Sequence, residues 1–180
     1  MTIGYKEVIA FWFQEIDASY WFKVDPEFDK QLTERFYDIY QQAVKGELAH
    51  WRETIEGRLA EIIVLDQFAR NMFRNDAQAF AFDSLALVLA QEAIKDEHFK
   101  QLEAQKQRFM LMPFMHAESP NIQAQSVALF SELGLEKPLK YAIEHKTIID
   151  KFGRFPHRNA VLNRQSTQEE REFLKDFNSF

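Results

Sequence analysis

Apolar residues in this chain return every three or four positions, and almost nowhere every two. That period puts side chains on one face of a helix, where a strand needs strict alternation. The clearest case starts at Asp25-Pro26, a cap followed by a residue suited to a first helical turn. Phe28, Leu32, Phe36, Ile39, Tyr40 and Ala43 then form one stripe, and Gly46 stops it. Similar patterns predict helices over about 53–68, from Asp83 as N-cap through Leu85, Leu89 and Ala93, from Ser119-Pro120 to Leu133, and from about Lys137 to Phe152. Thr167 and Glu170 have capping-box spacing ahead of a last short helix through Phe173 and Leu174. No Asn-Gly or Asp-Gly hairpin signal and no linker-like tract interrupts the series. The expectation is an all-α chain folded as one domain over 1–180.

A domain of 180 residues buries roughly 70% of its unfolded surface, so it needs no covalent staple. There are no cysteines, which excludes thiol chemistry, disulfides and Cys-based metal sites, and suits a reducing, cytoplasmic location. The longest apolar run near the N-terminus, Val8 to Phe13, is too short for a secretory signal. Ala77 to Ala90 is apolar but is broken by Asp83 and Ser84 and too short for a bilayer, so no membrane partner is expected. A net charge of −6 argues against nucleic acid. The 18 phenylalanines recur at helical spacing, as in Phe28/Phe36 and Phe68/Phe73, and read as packing between helices. The alternative is an exposed aromatic interface around Phe11, Trp12, Phe13, Trp21 and Phe22.

Three segments set charged groups among apolar ones. In Asp66-Gln67-Phe68-Ala69-Arg70-Asn71-Met72-Phe73-Arg74, Asp66 shares a helical face with Leu59, Ile62, Ala69 and Phe73, and Arg70 follows one turn on. A buried carboxylate and guanidinium must pair with each other or meet a ligand, since an isolated buried charge is very costly. In the second segment Arg108 and His116 bracket seven apolar residues, Phe109 to Met115, and Pro113 should break or kink the helix and free backbone groups near His116. His116 with Glu118 and Ser119 reads either as a hydrogen-bond cluster at a helix entry or as a functional imidazole. In the third, Phe152 to Arg164, three arginines and one histidine occur without an acid. Arg154, His157, Arg158 and Asn159 crowd the start of a short helix, an arrangement suited to an anion. The competing reading pairs these arginines with acids such as Asp66, Asp150 or Glu118. His145 falls on the inward arc of its helix with Tyr141, Ile148, Ile149 and Phe152.

Sharper chemistries are absent from the sequence: no His-Glu-x-x-His, no Walker loop, no Gly-x-Gly-x-x-Gly, no Gly-x-Ser-x-Gly. Only Glu47/His50 has the Glu-x-x-His spacing of which a di-iron bundle needs two, so neither metal nor cofactor is expected.

The three segments, with Met112-Pro113-Phe114-Met115-His116-Ala117-Glu118 and Phe152-Gly153-Arg154-Phe155-Pro156-His157-Arg158-Asn159-Ala160 the most specific, resemble the bacterial family named domain of unknown function 924 over about Val8 to Phe173. The resemblance implies a tetratricopeptide-like α–α superhelix with degenerate repeats, and brings no established activity, cofactor or catalytic residue to carry over. The family commonly has proline where this chain has Ala69; on that backbone the helix ends near Phe68 and Arg70 leaves the Asp66 face. The functional expectation is a pocket lined by Asp66, Arg70, Arg108, His116, His145, Arg154, His157, Arg158 and Asn159 that binds a small anionic ligand or acidic peptide end. The alternatives are an enzyme in which His157 or His145 is the general acid/base, oriented by Asp66, and a helical scaffold for a protein partner.

Overall fold

Asp25 accepts a hydrogen bond from the backbone N–H of Phe28 with Pro26 beside it, and this start sets helix α2 (Pro26–Val44). The same chemistry recurs along the computed structural model, which describes residues 3–178. Thr54 caps α3 (Ile55–Ile63) through the N–H of Gly57, Ser119 caps α7 (Pro120–Leu133), and a full Thr167/Glu170 capping box opens α9 (Gln168–Asp176). Gly134 ends α7 and Gly153 ends α8 (Glu136–Phe152), both in the left-handed conformation that only glycine adopts without strain. The remaining helices are α1 (Tyr5–Ala10), α4 (Ala69–Met72), α5 (Asp83–Ala93) and α6 (Ala104–Met115). Among the described residues there is no strand, and no helix is long and apolar enough to cross a membrane.

Every residue from Leu59 to Ala69 is buried, so α3 and its extension are enclosed on all sides. α3 touches α1, α5 and α6, while α6, α7 and α8 pack each against the next. The phenylalanines fill the space between. Phe36 lies 4.8 Å from both Phe11 and Phe68, and Trp12 packs edge-on at 5.6 Å against Phe68 and Phe109. Each such ring buries about 150–250 Å². The expected surface patch is therefore mostly interior: Phe11 and Trp12 are buried, Phe13 and Trp21 partly so, and only Phe22 is well exposed.

Three local expectations change. α6 runs through Pro113 without a break; the proline sits near the C-terminal end and the helix closes at Met115, so little helix remains to disturb. Asp83 occupies the first turn of α5 without capping it, because its carboxylate is taken by arginines. The predicted helix over 53–68 starts at Ile55 and continues, through a π-helical turn at Val64–Phe68, into α4.

Glycine in a helix is usually worth roughly 0.5–1 kcal/mol less than alanine. Gly57 reverses that, because a Cβ there would sit 1.9 Å from the Trp51 carbonyl oxygen. Gly57→Ala is expected to lower stability by about 1–3 kcal/mol, the usual cost of overpacking, measured as a fall in Tm or in urea midpoint.

Candidate functional site

A π-helical turn holds one residue more than an α turn and so rotates the residues after it about the helix axis. At Val64–Phe68 this turn carries Asp66, 1% exposed, into the middle of the molecule. The carboxylate has three neighbours there. Its Oδ1 lies 2.6 Å from Nδ1 of His116 and 3.3 Å from Nη1 of Arg70, and its Oδ2 accepts a 2.6 Å bond from the Gln67 amide. The chain keeps its helical course past Ala69, so Arg70 stays on the Asp66 side and also donates to the Asp66 carbonyl at 2.9 Å. Proline is not needed here to direct the backbone.

The contacts close on themselves. Arg70 grips Asp83 with two parallel 2.9 Å bonds; Asp83 lies 3.4 Å from Nη1 of Arg158; and Nη2 of Arg158 donates to the backbone carbonyl of His116 at 3.1 Å. His116 returns to Asp66. Two carboxylates and two guanidiniums thus form a ring of contacts that closes through the side chain and backbone of His116, and the Arg158 guanidinium lies 4.5 Å from the Phe80 and Phe155 rings.

Charge states follow from burial and neighbours. Burial works to raise the Asp66 pKa, but His116, Arg70 and the hydrogen bonds hold it well below the ordinary carboxylate range. Burial, then Arg70, push His116 below 6.5 against the pull of Asp66. Burial, then Arg70, bring Arg158 down to about 10, still protonated at neutral pH. At pH 7 the pair is therefore an ionised Asp66 and a neutral His116. Since a carboxylate only accepts, Nδ1 of His116 carries the proton and Nε2 the lone pair.

His116 lines two cavities. One, about 420 Å³, is walled by Trp21, Phe22, Met112 and Tyr141 and holds Arg108, Lys137 and His145 with it. The other, about 340 Å³, sets Asp83, Ser84, Glu118 and Arg158 beside Phe80 and Leu87. In the first, Arg108 is buried, yet its Nε has no hydrogen-bond partner among the described residues. Nη1 makes a 3.4 Å bond to Gln105, and the guanidinium lies 4.7 Å from the Phe22 ring. Burial lowers its pKa. His145 bonds through Nδ1 to the Tyr141 carbonyl at 2.7 Å, and its ring centre is 6.3 Å from that of His116.

Of the nine residues expected to line one pocket, Arg108, His116 and His145 line the first cavity and His116 and Arg158 the second, while Asp66 and Arg70 line neither and bond to His116 and Asp83, which do. Arg154, His157 and Asn159 lie apart. Arg154 pairs bidentately with Glu170, and Asn159 bonds Glu170 and Arg164. Arg164 in turn clamps Glu118, which also accepts the N–H of Phe155 at 2.7 Å. The expected anion site at Arg154–Asn159 is therefore a clamp that holds α9 on the body, its positive charge met by Glu170, Glu118 and Asp83. His157 stacks on Phe177 at 4.8 Å beside a separate cavity. The imidazole that Asp66 orients is His116, not His157 or His145.

Sequence reading did not single out Gln67, Asp83, Lys137 and Tyr141 as site residues. Asp83 was visible as an acid inside an apolar run, a signal that suited a helix cap equally well.

Comparison with known proteins identifies the family and the fold. A family described as bacterial protein of unknown function (DUF924) matches residues 8–178. The solved structure of a protein of unknown function from Agrobacterium tumefaciens, ATU0120, is 38% identical, covers 96% of this chain and 97% of its own, and superposes with a TM-score of 0.91. No curated protein matches the chain.

The interior histidines set a pH dependence. Burial, then His116, bring His145 down to about 3, and burial, then Arg158, bring His157 down to about 4. Because these folded values lie below 6.5, the unfolded chain binds more protons, and stability is lost as pH falls from 6.5 toward 4. His145 alone contributes a loss of about 2 kcal/mol between pH 7 and 5. Tm is expected to fall over that interval, and to fall less in His145→Gln, measured by thermal melts in buffers of matched ionic strength.

Proposed function

For this chain, which belongs to the bacterial family of unknown function DUF924, we propose binding of a small amphipathic anion in the cavity between Trp21, Phe22 and Tyr141. The observation that carries this reading is Arg108. Leaving a buried donor unsatisfied costs about 1–3 kcal/mol, more for a charged group, and this guanidinium has no carboxylate partner among the described residues. Arg70 and Arg158 of the inner ring both have a carboxylate partner, although Nε of Arg158 makes no bond among the described residues. A carboxylate or phosphate entering the cavity supplies the missing acceptors in the bidentate geometry that guanidinium favours. Lys137 adds a second cation to the wall, and the aromatic and Met112 surfaces suit the apolar remainder of such a ligand.

The same proposal takes the chain as cytoplasmic, consistent with its lack of cysteine, and its successive helices as a tetratricopeptide-like stack that leaves the cavity between neighbours.

The test is a thermal-shift series with benzoate, phenylacetate, hexanoate and inorganic phosphate. A ligand at 100 times its Kd stabilises by about 2.7 kcal/mol, a rise of roughly 5–10 °C in a domain of this length. We expect an aryl or alkyl carboxylate to raise Tm in the wild type and not in Arg108→Gln. Arg154→Gln, which breaks the distant clamp, is expected to melt earlier yet to keep the full ligand shift. A shift lost in Arg154→Gln and kept in Arg108→Gln sinks the proposal.

A further inference from the structure

We propose that His116 is a catalytic general base that hydrolyses a small ester bearing a negative charge, an inference that rests on the anion-binding reading of the cavity above. The geometry begins with the buried carboxylate. Asp66 lies 2.6 Å from Nδ1 and accepts its proton, which fixes the tautomer and aims the lone pair of Nε2 along the opposite edge of the ring. Asp66 is itself fixed by Gln67 and Arg70, so the imidazole has little freedom to rotate. Nε2 is thereby the basic atom of the ring, and His116 is among the residues that line each cavity. An imidazole oriented by a carboxylate and set in a cavity wall meets the geometric requirement for general-base catalysis.

The wall narrows the reaction. Around the larger cavity there is no serine, threonine or cysteine among the described residues, so His116 has no such side-chain nucleophile to activate there. Within that cavity the base acts on water or on the ligand itself. Water is the simpler co-reactant, and Gln105, Lys137 and Tyr141 on the same wall offer it polar partners beside the substrate. Substrate and water thus meet in one cavity, in front of the same imidazole.

The step balances without oxidant or metal. Nε2 takes a proton from water as the water oxygen bonds the acyl carbon, and the carbonyl electrons move onto oxygen. Asp66 offsets the imidazolium charge that results. The tetrahedral oxyanion collapses, the acyl C–O bond breaks, and the leaving alkoxide takes the proton back from Nε2. The products are a carboxylic acid and an alcohol. Arg108 holds the fixed negative charge of the substrate, and Lys137, the second cation of that wall, opposes the charge that develops.

The experiment uses the full chain with mono-4-nitrophenyl glutarate as the anionic ester, 4-nitrophenyl acetate as the neutral one, and glutarate as the non-reacting anion in thermal shift. The wild type is expected to release 4-nitrophenolate from the anionic ester above the buffer rate. Its kcat/KM should rise with pH through an inflection below 6.5, because only the neutral imidazole is a base. His116→Gln should lose about 10²–10⁴-fold in rate and keep the glutarate shift. Asp66→Asn, folded by its melt, should also lose rate. Arg108→Gln should raise KM for the anionic ester by a larger factor than for the acetate. His157→Gln, at a separate cavity, controls for adventitious histidine reactivity and should match the wild type. If glutarate binds but no ester turns over, or turnover survives His116→Gln, catalysis by His116 is overturned and the binding reading stands. If both esters turn over equally and Arg108→Gln changes neither, the anionic substrate class falls together with the binding reading.

Discussion

A carboxylate removed from water inside a helical core dictates much of its surroundings. Asp66 loses its hydration, and an ion of that size is several kcal/mol worse off in the interior unless charge and hydrogen bonds replace the water. The chain meets that demand from both sides in sequence. Gln67 and Arg70 come from the same turn, and His116 arrives from a helix end 50 residues away. Arg70 then requires Asp83, Asp83 draws in Arg158, and Arg158 returns to the carbonyl of His116. Removing one partner of such a pair typically costs about 3–5 kcal/mol, because a charge is left behind in the interior. The π-helical turn at Val64–Phe68 makes this geometry, and such turns often accompany functional sites for the same reason: they aim a side chain that a regular helix would misplace.

Two networks of similar composition do different work. The outer one, built from Arg154, Arg164, Glu118, Glu170 and Asn159, fastens the C-terminal helix to the end of α8 and the segment after it. Its charges are matched carboxylate for guanidinium, which leaves no attraction for a further anion. The inner ring is matched as well, two against two. Outside both stands Arg108, buried beside aromatic rings with no acid to meet it among the described residues. Charge matching, more than arginine density, separates a binding surface from a structural clamp.

Placement adds a second distinction. His116 ends α6 and lines both an aromatic, cationic cavity and a second one that holds Asp83 and Arg158. It is held by packed helices, which fix a side chain more closely than a loop can. Burial keeps it neutral at physiological pH, while the ionised Asp66 beside it can stabilise the protonated form when that form is needed.

Local rules carried the sequence a long way. The caps at Asp25, Ser119 and Thr167, the stops at Gly134 and Gly153, the inward face of His145 and the burial of Asp66 with Arg70 beside it all depend on neighbours within one or two helical turns, and periodicity reports such neighbours directly. The family was also legible, because its motifs are local strings. Which carboxylate answers which arginine was not. Asp83 and Arg158 are 75 residues apart, Glu118 and Arg164 are 46, and either acid suited several bases until the helices packed. The continuity of α6 through Pro113 and the π turn at Val64–Phe68 likewise depend on enclosure by other helices, which overrides local preference. The sequence determined an all-helical chain with charged groups turned inward; only the tertiary structure decided that Asp66 orients His116 and that Arg108 is left without an acid, because pairing across such distances comes from packing and leaves no periodic trace.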